Sequence, residues 1–323
     1  MRPEDDYTHP IGEDPTFSES MYFHFYDPRA ELGGFLRVGN RPNEGSGEVT
    51  VCLYLPDGRL GFAYDRPRVT SNDRLDAAGM RVDVREPMRH IDVSYDGRIF
   101  VVDDPAAMTD PSKALGASRK SDCVIDLAVH AIAPASEHSF DTDEGSFVPN
   151  HYEQSIVVEG SVRIDDHTTT VSGHGLRDHT WGPRSWQAPW FYRWLHGCTD
   201  GFSFMGAWFG QRDGSAVRGG FVWDGRTLHQ LDHLDITTIR DDRDEQMEIT
   251  VGLRSGDQEW TLHGQAQATV PLRHRPADDT GTVSMTRIVE SLMAWRLADG
   301  TTLHGMSEYL DQIVAGRPVG LAV

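Results

Sequence analysis

The sequence predicts an all-β protein built as two consecutive antiparallel barrel or sandwich units. Three observations carry this. Asp-Gly pairs recur at 57–58, 96–97, 200–201, 213–214, 224–225 and 299–300, and Asp-Gly accepts the positive φ of two-residue hairpin turns. The runs between them are rich in β-branched and aromatic residues, and several alternate with period two, as half-buried antiparallel strands do. The chain has 323 residues, long for one core and comfortable for two.

In chain order the expected strands of the first half are ESMYFHFYDP (19–28), EVTVCLYL (48–55), HIDVSYD (90–96), RIFVV (98–102), CVIDLAV (123–129) and SIVVEGSVRI (155–164). The second half adds HTTTVSGHGLRDHTW (167–181), PWFYRWLH (189–196), FSFMGAWF (202–209), GGFVWD (219–224), LDITTIR (234–240), EITVGLR (248–254) and EWTLHGQAQA (259–268). Helical pattern is confined to a turn or two in 104–115 and a short closing helix in SEYLDQIVAG (307–316), ended by Gly316. The polar, acidic stretch 135–152, ASEHSFDTDEGSFVPNHY, marks the boundary. The expected domains are 1–145 and 146–323.

Charge and composition exclude several functions. The net charge of −20 leaves no basic stripe to neutralise phosphates or anionic lipid, so neither nucleic acid nor membrane surface is an expected partner. No apolar run approaches the roughly 20 residues of a membrane helix. The N-terminus, MRPEDDYTHP, has no hydrophobic stretch of a signal peptide, and a cytoplasmic protein is expected. Cys52, Cys123 and Cys198 are far apart with no CxxC; they read as small buried hydrophobes rather than zinc or redox ligands.

The segment Gly173 to Trp194, GHGLRDHTWGPRSWQAPWFYRW, is the candidate site, and four of the eight tryptophans fall within 181–194. On a strand, Arg177, His179 and Trp181 share one face, while His174, Leu176 and Asp178 share the other. Gly173 and Gly175 would serve close approach of a ligand or backbone, or a bulge that re-aims the residues after them. In the next strand Trp190, Tyr192, Trp194 and His196 share a face, and Trp208 lies beyond. Together they suggest an aromatic-walled cavity. A second, weaker cluster, Tyr22 and His24 with Glu19 just before, reads first as an opening strand followed by a loop; the two-glycine step and polar Asn40 beyond it leave open a second wall of the same site. A metal reading on His174, His179 and His196 is the least favoured, since no HxH or HExxH is present. No metal and no cofactor are expected.

At GHGLRDHTWGPRSW the chain resembles the carotenoid 1,2-hydratase and AttH-like superfamily. ESMYFHFYDPRAELGGFLRVGNRPNEG and HYEQSIVVEGSVRI extend the resemblance to a bacterial branch of it. The resemblance implies two lipocalin-like β-barrels and a hydrophobic pocket. It also implies catalysis by an Asp, a His and a Trp two residues after that His, which fall here on Asp178, His179 and Trp181. Where the hydratases carry a Tyr-x-Asp element, this chain has Met205-Gly206-Ala207-Trp208, so Asp178 or Asp200 would supply the proton.

The expected function is therefore a cofactor-free hydratase or dehydratase, isomerase or cyclase acting on an isoprenoid-like or polycyclic hydrophobic small molecule. Asp178 is the expected acid, His179 its partner, and Trp181, Trp186, Trp190 and Trp194 the wall for a developing cation. Tyr192, His196, Trp208, Tyr22 and His24 would line the substrate, and Arg177 and Arg184 would hold a polar tail. The alternative is a non-catalytic binding protein for a hydrophobic ligand. Self-association as a homodimer is compatible with either.

Overall fold

The computed structural model describes residues 1–138, 141–142, 145–146, 150–184, 189–274 and 285–321. The chain forms two compact units. The first comprises Met1–Asp104, Ala114–Ser139 and Val148–Arg184; the second comprises Pro105–Lys113, Phe140–Phe147 and Ser185–Val323.

The strands of the first unit are β1 (Phe17–Asp27), β2 (Leu32–Arg41), β3 (Ser46–Tyr54), β4 (Leu60–Asp65), β5 (Asp76–Ala77), β6 (Met80–Glu86), β7 (His90–Val102), β8 (Arg119–Ala131) and β9 (Ser136–Glu137). After a small hairpin, β10 (Asp141–Thr142) with β11 (Gly145–Ser146), come β12 (Asn150–Ile164) and β13 (His167–Pro183). The ladder runs β4-β3-β2-β1-β13-β12-β8-β7 and returns to β4 through Leu60↔Val102, Gly61↔Val101 and Phe62↔Phe100. Eight antiparallel strands thus close into a barrel, which leaves no bare edge on that ring. Alternate residues point inward: Met21, Phe23 and Phe25, with Leu36 and Val38 opposite, belong to the buried core.

The second unit is a curled antiparallel sheet of β14 (Phe191–Thr199), β15 (Phe202–Gly210), β16 (Ala216–Trp223), β17 (Leu228–Gln230), β18 (His233–Arg240), β19 (Gln246–Ser255), β20 (Gln258–His274), β21 (Thr286–Leu297), β22 (Thr302–Val314) and β23 (Arg317–Pro318). Its order is β17-β16-β15-β14-β22-β21-β20-β19-β18. Leu195, Phe204, Val222, Val251, Trp295 and Tyr309 fill its core.

The all-β, two-unit expectation holds, and two details differ from it. The two units interleave along the chain, with 105–113 and 140–147 grouped with the second and β12 and β13 with the first. Closing the first barrel takes two strands beyond the acidic stretch, because only β13 and β12 join β1 to β8. Asp96-Gly97 is not a turn. It lies inside β7, paired with Val124 and Cys123, and the Tyr95 ring covers Gly97. Residues 307–316 are not helical. Pairing with β14 on one side and β21 on the other makes β22 an interior strand. Apolar residues then occur on both of its faces, which hides the period-two signal. The 3₁₀ turn Pro105–Thr109 and helix Pro111–Ala117 match the expected helical pattern, and Cys52, Cys123 and Cys198 are buried and in no disulfide.

Gly173 and Gly175 serve close approach of backbone, without a bulge. A Cβ built at either would collide with the carbonyl oxygens of Tyr26 and His24 on β1. The register β1–β13 is unbroken from Phe17↔Pro183 to Tyr26↔His174. Gly175→Ala must therefore push β1 away from β13, and a loss of about 1–3 kcal/mol is expected. Urea unfolding of the variant measures it, and unchanged stability would contradict the close approach.

Candidate functional site

Strand β13 lies between β1 and β12, and its regular register decides which side chains meet. Arg177, His179 and Trp181 point to the inner face. Opposite them stand Gln154, Tyr152 and Asn150 on β12, and Phe23, Met21 and Glu19 on β1. The barrel core thus becomes polar at the end where β13 finishes, and residues of the N-terminal segment reach into that end.

Arg177 is fully buried and every polar contact around it is used. Its Nη1 donates to Asp6 Oδ1 at 2.7 Å and to the Tyr152 hydroxyl oxygen at 3.1 Å. Its Nε and Nη2 donate to Gln154 Oε1 at 2.9 and 2.6 Å. The Tyr152 hydroxyl and the Met88 N–H donate to Asp6. Burial by itself would raise the Asp6 carboxyl; Arg177, Tyr152 and Met88 reverse this and hold it below the ordinary value. This ion pair pins the Pro3–Asp6 turn to the barrel wall.

Three residues further on, His9 completes a second cluster. Glu19 Oε1 lies 2.8 Å from His9 Nδ1 and 2.8 Å from His179 Nε2. Glu19 Oε2 accepts the His9 N–H at 2.9 Å and the Asn72 side-chain amide. Asn72 also donates to the His9 carbonyl at 2.8 Å and accepts from Asn40 at 3.0 Å. Glu19 and His179 are fully buried, whereas the His9 side chain keeps 19% exposure. Burial would raise the Glu19 carboxyl, but the hydrogen bonds from His179 and His9 bring it down to about 2. The His9 ring stacks on Trp181 with centroids 3.9 Å apart and planes 7° apart. The Tyr152 hydroxyl stands 3.4 Å from His179 Nδ1. The arrangement is a buried carboxylate that orients two imidazoles, one sealed and one reaching the surface beside an aromatic face.

The expected site residues separate into three places. His179, Trp181 and Arg177 belong to this inner-face cluster, but Arg177 is consumed by Asp6, Gln154 and Tyr152 and is not placed to hold a substrate tail. Asp178 is not the partner of His179; Glu19 is. Unbroken register keeps Asp178 on the outer face, across from Tyr22 on β1 and Glu153 on β12. Burial raises the Asp178 carboxyl, with His151 and Arg184 opposing. Tyr22 and His24 share that outer face, Tyr22 stacked on Phe35 at 5.3 Å. Arg184 closes the first unit, its N–H bonded to the Thr16 carbonyl.

In the second unit, Tyr192, Trp194 and His196 share one face of β14. Trp208 pairs with Arg193 and therefore lies on the other face, against the core, with Arg218 over its ring. The expected single aromatic wall is thus split by strand parity. His196 is buried and pushed down to about 3 by desolvation. Trp190 carries the Arg212 guanidinium over its ring. Of the metal set considered from sequence, only His179 is in the cluster; His174 is on the outer face and His196 is in the second unit. Trp186 lies outside the described residues.

Sequence reasoning missed His9, Asn72 and Tyr152, and noted Glu19 without a role. The parity of β1 holds the signal: Glu19 is odd-numbered, opposite in face to Tyr22 and His24. His9 and Asn72 come from irregular segments that carry no such signal. Glu290, pushed up to about 8 by burial, was also missed; it stands in one cross-strand row with Glu308 and Trp194.

The family model described as "Domain of unknown function (DUF7064)" matches residues 2–313. No curated protein matches the chain. Among solved structures, a protein assigned as a candidate AttH from Nitrosomonas europaea aligns with a TM-score of 0.56 at 14% identity, over 93% of this chain and 94% of its own. CghA, solved with Sch210972, aligns with a TM-score of 0.55 at 9% identity, over 92% and 88%. Kievitone hydratase from Nectria haematococca aligns with a TM-score of 0.56 at 9% identity, over 100% and 94%. At such identities the likeness is one of fold. It agrees with the AttH-like, two-unit lipocalin-like resemblance of the sequence.

The Asp6–Arg177 pair gives a testable stability effect. Asp6→Asn leaves a buried guanidinium without its counter-charge and should cost about 3–5 kcal/mol at pH 7. A folded-state value below the ordinary carboxylate one means that this stability is present above about pH 3.9 and is lost as pH falls below it. The gap between wild type and Asp6→Asn in urea unfolding should narrow as pH falls through that range; a gap that stays constant would contradict the pairing.

Proposed function

The chain belongs to the DUF7064 family, and we propose that it is an acid–base enzyme of the hydro-lyase or isomerase/cyclase class, acting at the inner-face cluster of the first barrel. The observation that supports this most is the convergence of the His9 and His179 imidazoles on the one buried carboxylate of Glu19, beside Trp181. An ionised carboxylate that accepts an imidazole N–H leaves the far nitrogen of the ring as the proton acceptor or donor. His9 is the exposed member, so its Nε2 is the atom assigned to meet substrate. His179, sealed between Glu19 and Tyr152, holds Glu19 in place.

The His9 ring covers one face of Trp181, so a carbocation-like transition state would use the other, gaining about 0.5–2 kcal/mol for a cation over the ring. Adding water across a double bond consumes one water, with a proton to one carbon and hydroxyl to the other; dehydration is the reverse, and proton transfer alone gives isomerisation or cyclisation. A fold neighbour named as a hydratase is consistent with this class. The substrate class we favour is a hydrophobic small molecule, isoprenoid-like or polycyclic.

A second reading, ligand binding without chemistry, is favoured by a different feature. A cavity of about 370 Å³ opens at the other end of the first barrel. Leu32, Leu55, Val101, Val162 and Ile164 line it together with Arg59 and Arg119. Mostly apolar walls of this size suit a small hydrophobic ligand.

The test is untargeted mass spectrometry of a lipid-soluble metabolite extract incubated with the protein in H₂¹⁸O. Wild type should create species that have gained labelled water or lost water. Glu19→Gln and His9→Ala should abolish them, and Asp178→Asn, on the other face, should retain them. The reverse pattern would move the site to the outer face. A ligand that is retained unchanged by wild type, with no new species, would favour the binding reading.

A further inference from the structure

The ligand atoms of His9, Glu19 and His179 all lie within 4.8 Å of one another. We infer that this trio is also a divalent metal site of the two-histidine, one-carboxylate kind, suited to a Zn²⁺-type ion. This goes beyond the acid–base reading and does not depend on it.

Four features carry the inference. Two imidazoles and one carboxylate are the donor set of many three-ligand zinc and iron centres, which leave open positions for water or substrate. Glu19 Oε1 lies 2.8 Å from His9 Nδ1 and from His179 Nε2. Tetrahedral ligands bound at roughly 2.0–2.1 Å to one ion stand about 3.3 Å apart, so each His–Glu contact would open by about half an ångström while the three ligand atoms, all within 4.8 Å of one another, close around the ion. Two of the ligands also have an outer partner, as metal ligands generally do: Asn72 and the His9 N–H hold Glu19 Oε2, and the Tyr152 hydroxyl stands by His179 Nδ1 at 3.4 Å. Finally, the trio is buried except at His9, which gives the ion one side of entry.

Binding would replace the two shared protons by one ion.

The experiment uses the full chain without a histidine tag, freed of metal by chelation and titrated with Zn²⁺ or Co²⁺. Elemental analysis after equilibrium dialysis should give one ion per chain for wild type. The ion should be lost in Glu19→Gln and His9→Ala, and Asn72→Ala should weaken affinity by about 10–100-fold. His233→Ala, in an exposed His–Asp pair at 2.6 Å, should keep it. His9 sits in the N-terminal segment, so its variant keeps the barrel strands intact. Circular dichroism and the thermal midpoint with and without Co²⁺ read folding and binding separately. Binding that survives His9→Ala and Glu19→Gln, or that vanishes with His233→Ala, overturns the site, and a thermal midpoint that Co²⁺ leaves unmoved in wild type does so without any variant. None of these readouts involves turnover, so failure here and failure of the acid–base reading are distinguishable.

Discussion

A guanidinium inside a β-barrel needs a counter-charge, and much of the first unit follows from how Arg177 obtains one. The alternation of β13 places Arg177 on the inner face, between Phe23 and Gln154. An unpaired charge there would cost several kcal/mol. Asp6 supplies the balance, and in doing so it holds the N-terminal segment across the end of the barrel. With Asp6 anchored, His9 arrives three residues later over Trp181 and beside Glu19. The geometry of the Glu19 cluster is therefore secondary to a stability requirement: the ion pair sets the strap, and the strap delivers the imidazole.

The fold was legible in the sequence because antiparallel strands with one solvated face write their period into the chain, and tight turns write Asp-Gly. It failed where that assumption fails. In β22 both neighbours are strands and both faces are buried, so residues 307–316 lost their alternation and resembled a helix. At Asp96-Gly97 a turn dipeptide sits under the Tyr95 ring in mid-strand, a tertiary contact that local reading does not see. Barrel closure is a global condition, and no local composition shift announces that β1 still lacks a neighbour at residue 145.

The site was legible in half. Strand parity alone puts His179 and Trp181 together and Asp178 apart, and the structure keeps that division, since the glycines at 173 and 175 admit β1 closely without twisting the strand. What parity does not reveal is which carboxylate completes the pair. Glu19 comes from a strand some 160 positions away, and His9 and Asn72 from segments without periodicity. Likeness to AttH-type and hydratase folds at 9–14% identity locates the architecture but assigns no role to these residues.

The order of the strands around the barrel also bears on how the molecule comes to exist. Strand β1 is made first, yet its partner β13 emerges only after 166 has been passed. Closing a loop of that span is entropically slow, and contacts of such separation lower folding rates. Throughout synthesis of the intervening chain, β1 presents an open hydrogen-bonding edge, with Phe23 and Phe25 on one face and no cover, the kind of surface that chaperones retain and aggregation exploits. Glu19, His9 and His179 are brought together in that same late closure. A nascent chain that stalls before β13 carries neither a closed barrel nor the contact between Glu19 and His179.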